Sequence, residues 1–234
     1  MDIREDEWLA GVFGHPVFAV APGAAADVAS HAATHGRSLY YAKVPTDRTD
    51  DARSLEEVGL HVVDVNVTFT RNGLPAAMSD DGVEVLPLGS GDADALLDIA
   101  QSCFRYSRFH LDSEIPRETA DAVKREWIAS YVAGRRGEEL LVAHADGRPA
   151  GFLAVLEDRD VRVIDLVGVA KESQGRGIGA ALVAAFINRH GSAAAELRVG
   201  TQIANLPSLR LYGRFGFEVT SSAYVLHGYL GSGT

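Results

Sequence analysis

The segment Gln174-Gly175-Arg176-Gly177-Ile178-Gly179 carries the clearest chemistry in this chain. It follows a β-branched run, Val161 to Val169, and precedes an apolar helical stretch that opens at Ile178. Glycines lack a Cβ, so backbone N–H groups around Gly175, Gly177 and Gly179 can turn inward and approach phosphate oxygens closely. The helix behind them adds its positive end. The pattern predicts a pyrophosphate cradle without a dedicated lysine, which suits a chain of formal net charge -10. Gly175, Gly177 and Ala180 also satisfy GxGxxA, the fingerprint of dinucleotide sites. In such a unit an acid about 20 residues later closes the second parallel strand. Here Glu196 opens its strand instead, so NAD(P) fits poorly. A glycine-rich helix entry with no ligand is the plain structural alternative.

Elements on both sides must hold that loop. From Val83 onward the apolar spacing predicts helices over Asp94 to Phe104 and Arg117 to Val132, with a loop from Ser107 to Pro116 between them. The period then changes. Glu139 to His144, Pro149 to Leu156 and Val161 to Val169 are β-rich runs, the first two joined by the Asp146-Gly147 hairpin signal, and predict an antiparallel meander. Beyond the glycine loop the pattern predicts a helix (Ile178 to His190), a strand (Glu196 to Thr201), a short helix (Leu206 to Phe215) and a final strand (Phe217 to His227). The class is mixed α/β (α+β).

Residues 1–82 hold a partial echo of that ending. When Val58-Gly59-Leu60 is laid on Phe215-Gly216-Phe217, the alternating run His61 to Phe69 falls on Glu218 to Leu226, and Leu39 to Val44 falls on Glu196 to Thr201. His35-Gly36 meets His190-Gly191 after a short slip. The counterpart of the glycine loop, His15 to Ala25, has only Pro22-Gly23. The expectation is that 1–82 is a degenerate half domain that widens the sheet without binding cofactor, and that 83–234 is the domain carrying the chemistry. Chance similarity of helix-Gly-strand segments is the alternative.

Asp and Glu number 32 against 22 Lys and Arg, with no basic run. That balance argues against nucleic acid or an anionic membrane as the main partner and for a small molecule. A hydrophobic content of 47% is enough for a real core. Cys103 stands alone and no Cys/His group has zinc spacing, so neither a disulfide nor a metal is expected. The start MDIREDEW lacks a signal-type apolar region, and no apolar run approaches the ~20 residues of a membrane span. A cytoplasmic location is the expectation.

The loop, its flanking strand and its following helix resemble the acyl-coenzyme A site of the GNAT acetyltransferase superfamily, whose motif is Q/R-x-x-G-x-G/A. In that family an Asn is followed by a Tyr seven positions later and then by Gly-Phe; here Asn205, Tyr212 and Gly216-Phe217 stand in that order. The resemblance covers Val83 to Leu226. A closer likeness lies with the branch that acetylates dTDP-linked 4-amino-4,6-dideoxygalactose, through TQIANLPSLRLYGRFGFEVTSSAYVLH, Ser107 to Phe109 and Glu126 to Ile128. That branch also has a partial GNAT-like region ahead of its full one. The resemblance implies a GNAT fold with a mixed central sheet flanked by helices, acetyl-CoA as co-substrate, an amino-sugar nucleotide as acceptor, and a homodimer.

Acetyl transfer from a thioester needs a neutral amine, a polarised carbonyl and a proton for the leaving thiolate. If the strand before the loop splays from its neighbour, Val167 and Val169 offer backbone groups to the pantetheine and to the oxyanion. Gln174, Gly175, Arg176, Gly177, Ile178, Gly179 and Ala180 would hold the pyrophosphate. Tyr212 is the family-matched general acid, a phenol that stays protonated at neutral pH, with a core aromatic as its plain alternative. Asn205 would hydrogen-bond the coenzyme arm. Asp165 is expected to share a strand face with Val167 and Val169; it is a candidate base, though a structural carboxylate is the favoured reading. Arg108 and His110, in the loop where this fold places its acceptor, are candidate substrate residues, with Tyr106 or Phe109 to stack on a base or sugar. A solvated surface loop is their plain alternative. Trp8 and Trp127 are expected in the core or at a domain contact.

Three functions remain open: an acetyltransferase acting on an amino-sugar nucleotide, one acting on a protein N-terminus, polyamine or other small amine, and a non-catalytic acyl-CoA-binding module.

Overall fold

The computed structural model describes residues 2–72, 83–192 and 194–231. The proposed boundary at 82/83 lies at the edge of the segment outside these residues. Ten strands form one mixed sheet: β1 (Ile3–Glu5), β2 (Val17–Val20), β3 (Ser38–Pro45), β4 (His61–Asn72), β5 (Glu84–Pro87), β6 (Glu139–Ala145), β7 (Arg148–Asp158), β8 (Val161–Val169), β9 (Glu196–Gln202) and β10 (Glu218–Leu230). Their spatial order is β1-β2-β3-β10-β4-β9-β8-β7-β6-β5. Only β2 with β3 and β8 with β9 are parallel; the other neighbours are antiparallel.

That order contains an exchange. β4 ends the N-terminal series yet lies between β10 and β9, and β10 ends the C-terminal series yet lies between β3 and β4. Reading outward from the β10–β4 pair, each side meets a strand joined in parallel to the next: β3 with β2, and β9 with β8. The short helices α3 (Thr49–Glu57) and α8 (Leu206–Arg214) correspond end to end under the shift that lays Val58 on Phe215.

Helices cover both faces. On one lie α2 (Ala25–Ala33), α3, α7 (Ile178–His190) and α8, packed on Tyr40, Ala42, Val67, Phe69 and Leu226. On the other lie α1 (Glu7–Phe13), α4 (Ala93–Cys103), α5 (Arg108–Leu111) and α6 (Arg117–Val132), packed on Leu39, Val142, Phe152 and Leu166. The central strands are buried from both sides, which is why runs such as Phe152 to Val155 are apolar without alternation. The segment Ser107 to Pro116, expected as loop, contains the one-turn α5, which tucks Phe109 into the core at 1% exposure. Trp8 and Trp127 meet edge to face at 5.7 Å, joining α1 to α6.

Candidate active site

β8 and β9 pair only from Val161 with Glu196 to Ile164 with Val199. Beyond that point the two strands separate, and β8 carries a bulge there: Val155 faces Ile164 and Ala154 faces Leu166, which leaves Asp165 unopposed. The bulge turns the strand over. Asp165 and Leu166 both face α4 and α6, while Val167 and Val169 pack toward α7 and α8. The expected shared face of Asp165 with Val167 and Val169 is therefore wrong, because simple alternation does not survive an inserted residue.

A cleft of about 1020 Å³ enters the gap and is lined from both faces of the sheet, by Ile178, Leu211 and Tyr212 on one and by Cys103, Lys124 and Trp127 on the other. Gly175 and Gly177 hold φ at 79° and 83°, the left-handed region that a Cβ penalises. Gly177 caps α7 with no side chain to satisfy the first turn. Among the described residues the N–H groups of Gly175 through Ala180 donate to no protein acceptor; Ala181 is the first to do so, to the carbonyl of Gly177 at 3.0 Å. Open donors at the positive end of an apolar helix are what a pyrophosphate requires. Gln174, Gly175, Gly177, Ile178, Gly179 and Ala180 all line the cleft. Arg176 does not: its guanidinium pairs with Asp146 at 2.9 Å, so only its main chain stays at the loop.

Val167 and Val169 line the cleft with no β9 partner opposite them. Val169 is already partly engaged, since its carbonyl accepts from Gln174 Nε2 at 3.3 Å and its amide faces the Cys103 thiol. Burial pushes that thiol up to about 12, so it is no nucleophile at neutral pH. Asn205 also lines the cleft, but its Oδ1 accepts from Ser208 N–H at 3.3 Å and its Nδ2 donates to Thr201 Oγ1 at 3.3 Å. Its side chain caps α8, so a bond to a coenzyme arm would replace one of these.

Tyr212 sits between the rings of Phe69 and Phe217, with centroids 5.9 and 6.0 Å away, and is 2% exposed. Its hydroxyl has no hydrogen-bond partner among the described residues and is not sealed off, because the residue lines the cleft. Burial pushes the phenol well above its usual range, so it enters any reaction protonated.

The two candidate substrate residues part ways. Arg108 lines the cleft, its guanidinium carbon 4.1 Å from the centre of the Tyr41 ring and its Nη1 3.3 Å from His227 Nε2. His227 is held in turn by Asp112 at 2.7 Å. His110 is a correction. Its side chain is 0% exposed and bonded to Ser107 and to Asp121, so it braces α5 on α6 and meets no ligand. Asp165 is likewise spent: it accepts from Trp127 Nε1, Tyr131 Oη and the guanidinium of Arg136.

On the acceptor side of the cleft three ionisable residues were not singled out from the sequence. Lys124 on α6 is 6% exposed, with Nζ 4.7 Å from the Trp127 ring centre; burial, then the charges of Arg108 and Lys43, bring its ammonium down to about 8. Lys43 on β3 and Asp64 on β4 both face Val225 of β10 across the ladder. Lys43 stays open to solvent inside the concave cleft, though crowding by its walls still lowers its ammonium. Both carboxylate oxygens of Asp64 are buried without a partner, and burial raises it to about 6. Asp64 was detectable as the one acid in the apolar run Val62 to Val65; Lys124 and Lys43 had no local signal.

Residues 93–217 match the model of the Acetyltransferase (GNAT) family. Among curated proteins, spore coat polysaccharide biosynthesis protein SpsD of Bacillus subtilis is 30% identical over 145 residues, 62% of this chain and 50% of that protein. The chain thus matches only half the length of that relative. The dTDP-fucosamine acetyltransferase of Escherichia coli is 29% identical over 195 residues, 81% of each chain. Of solved structures, a GCN5-related N-acetyltransferase from Sphaerobacter thermophilus superposes with a TM-score of 0.63 at 16% identity, over 93% of this chain and 74% of its own, and shares the fold. Among the described residues no helix is long and apolar enough to cross a membrane, and no group of metal-ligating side chains is found. The matched segment spans more than half of the chain, and with the splayed strands and the open loop at its centre the protein belongs to the GNAT family of acetyltransferases.

Proposed function

We propose that this protein transfers the acetyl group of acetyl-CoA to the amine of a nucleotide-linked amino-deoxy sugar, by direct attack in a ternary complex. The observation that carries the proposal is the gap between β8 and β9, open to both faces of the sheet, with free amides at one mouth and cations and aromatic rings at the other. The acyl carrier lays its diphosphate on Gly175 to Ala180 and runs its arm beside Val167 and Val169. The acceptor enters from the α5 and α6 side, where Arg108 meets its phosphates. The likeness to dTDP-fucosamine acetyltransferase supports the sugar.

In the reaction the amine nitrogen attacks the thioester carbonyl, the C–N bond forms and the C–S bond breaks. Main-chain N–H groups of β8 meet the oxyanion. The departing thiolate takes the proton of Tyr212, and the proton that the attacking nitrogen loses on becoming an amide restores the phenol. Burial holds that proton tightly, but the thiolate is desolvated in the same slot and made more basic too, which preserves the match. The ammonium proton must leave to solvent before attack; Asp64 lines the cleft on the acceptor side, but its carboxylate oxygens are sealed from water. Residues 1–82 are read as a degenerate half-copy that supplies β3 and β4 to the acceptor side and binds no coenzyme of its own. A polyamine acceptor is opposed by the cationic wall.

The test is free-thiol release from acetyl-CoA across dTDP- and UDP-amino sugars, with a peptide and a polyamine beside them. Turnover confined to the sugar nucleotides is expected. Release with the peptide alone would overturn the acceptor, and coenzyme binding with no turnover on any amine would leave only a binding module.

A further inference from the structure

Lys43, Arg108 and Lys124 come from three separate elements, β3, α5 and α6, and line one side of the cleft together. They are close enough to disfavour one another's charge: Arg108 lowers both lysines, and Lys43 adds to the effect on Lys124. None of the three forms an ion pair among the described residues. Lys124 is more than nine-tenths buried, lies against the faces of Phe104 and Trp127, and is offset by Asp165 at a distance beyond ion pairing. Arg108 lies over the rings of Tyr41 and Phe109.

The carboxylates nearby do not balance them. Asp165 is taken up by Arg136, Trp127 and Tyr131. Asp6 accepts from Tyr41 and offsets Arg108 by its charge without forming an ion pair. Asp64 is left to offset Lys43, at a distance beyond ion pairing. In a chain with 32 acidic residues, three cations on one cleft wall without a paired acid are not a matter of supply. Crowding like charges out of water is costly, and a polyanion entering the cleft removes that cost. The guanidinium offers a planar fork to phosphate oxygens and the ammonium groups offer compact charge on either side. Tyr106, 37% exposed, and Trp127 line the same cleft, with faces fit for a base.

We propose that Lys43, Arg108 and Lys124 form a second anion subsite, separate from the glycine loop, that takes the diphosphate of a nucleoside-diphosphate acceptor. The assignment rests on the acceptor reading above and goes beyond it: it brings Lys43 of the N-terminal segment into substrate binding and makes the diphosphate, more than the sugar, the handle by which the acceptor is held. Both substrates then present a diphosphate, one to amides on the α7 side and one to side chains on the α6 side.

The same chemistry is present in coenzyme A, so the probe is dTDP titrated calorimetrically into the full chain already saturated with CoA. Binding of dTDP on top of CoA is expected, with thymidine failing to bind. Lys124→Met and Lys43→Met keep the apolar stems and remove the charge; each should weaken dTDP by about 10- to 100-fold, the size of one lost charge-assisted bond, with CoA affinity unchanged. Lys43 stands open at the cleft wall, so its variant remains informative if Lys124→Met does not fold. Binding of dTDP only when CoA is absent, or Lys43→Met with an unaltered dTDP affinity, would overturn the subsite. Binding of dTDP with no thiol release from any dTDP-amino sugar would uphold the subsite and remove the acceptor reading, whereas turnover of such a sugar at an unchanged KM in Lys43→Met would do the reverse.

Discussion

Replacing Tyr212 with Phe removes one oxygen from a ring that is 2% exposed and otherwise fixed between Phe69 and Phe217. Among the described residues that oxygen has no hydrogen bond to lose, and its removal leaves no orphaned partner. The hydroxyl opens on the cleft and anchors nothing in the fold, so Tyr212→Phe should leave stability within about 0.5 kcal/mol, a change in Tm of about 2 °C or less for a chain of this size. The chemical step should suffer. Without the proton the thiolate leaves bare from an apolar slot, and kcat should fall about 10²–10⁴-fold, or about 2.7–5.5 kcal/mol of barrier. The phenol contacts only the leaving sulfur, so the KM for acetyl-CoA should hardly move. A thiol-release assay at saturating amine, paired with a thermal melt, separates these effects. An unchanged kcat would refute the acid role, and a Tm lowered by several degrees would show that the hydroxyl has a structural partner after all.

Gly177→Ala meets open space but must hold φ at 83°, a strain of about 1–2 kcal/mol, and should weaken acetyl-CoA roughly tenfold in a calorimetric titration; undiminished affinity would mean that the loop conformation is not the cradle. Asp165→Asn breaks the ion pair to Arg136 in a half-enclosed network and should cost about 2–4 kcal/mol by denaturant melt, with kcat kept in the folded fraction. Retained stability with lost kcat would restore Asp165 as the base. Acid should destabilise the fold. His110 and His227 titrate below 6.5 when folded, chiefly because burial disfavours the imidazolium, so the unfolded chain protonates first and stability is lost as pH falls from that value. Asp64 opposes them: its folded value of about 6, raised from 3.8 by burial, makes protonation in that window stabilising. Tm should fall from about pH 7 to about pH 5, and Asp64→Asn should raise Tm at about pH 8 and steepen the acid loss; a flat profile would contradict these assignments.

Legibility followed the range of the interactions. Arg117–Val132, Val161–Val169 and Ile178–His190 were bounded to the residue by their own periodicity, and the glycine loop by residue type and position. The bulge at Asp165 was hidden because register belongs to two strands, and only β7 shows that the strand skips a place. His110 and Asn205 misled for a shared reason: polar side chains in apparent loops satisfied nearby backbone and helix partners before any ligand. Lys43 and Asp64 lie apart in sequence and come near only because β10 joins β3 to β4, while Lys124 reaches the same cleft from α6. The internal echo laid the β3 run on the β9 run and the β4 run on the β10 run, yet nothing local told that β4 and β10 trade places.

That trade fixes the order in which the machine can be assembled. β3 and β4 emerge early from the ribosome but stand a full strand's width apart, and nothing fills the space until residues 218–230 arrive. Those residues then close ladders on both sides at once, joining Val44 to Tyr224 and Val65 to the same tyrosine. Contacts of such long sequence separation are slow to form, so the slot between the two substrates should be completed late in folding. A chain halted after Phe217 should keep its early helices and fail to protect from exchange the amides of β3 and β4 that face β10; full protection in that fragment would show that the two halves mature independently.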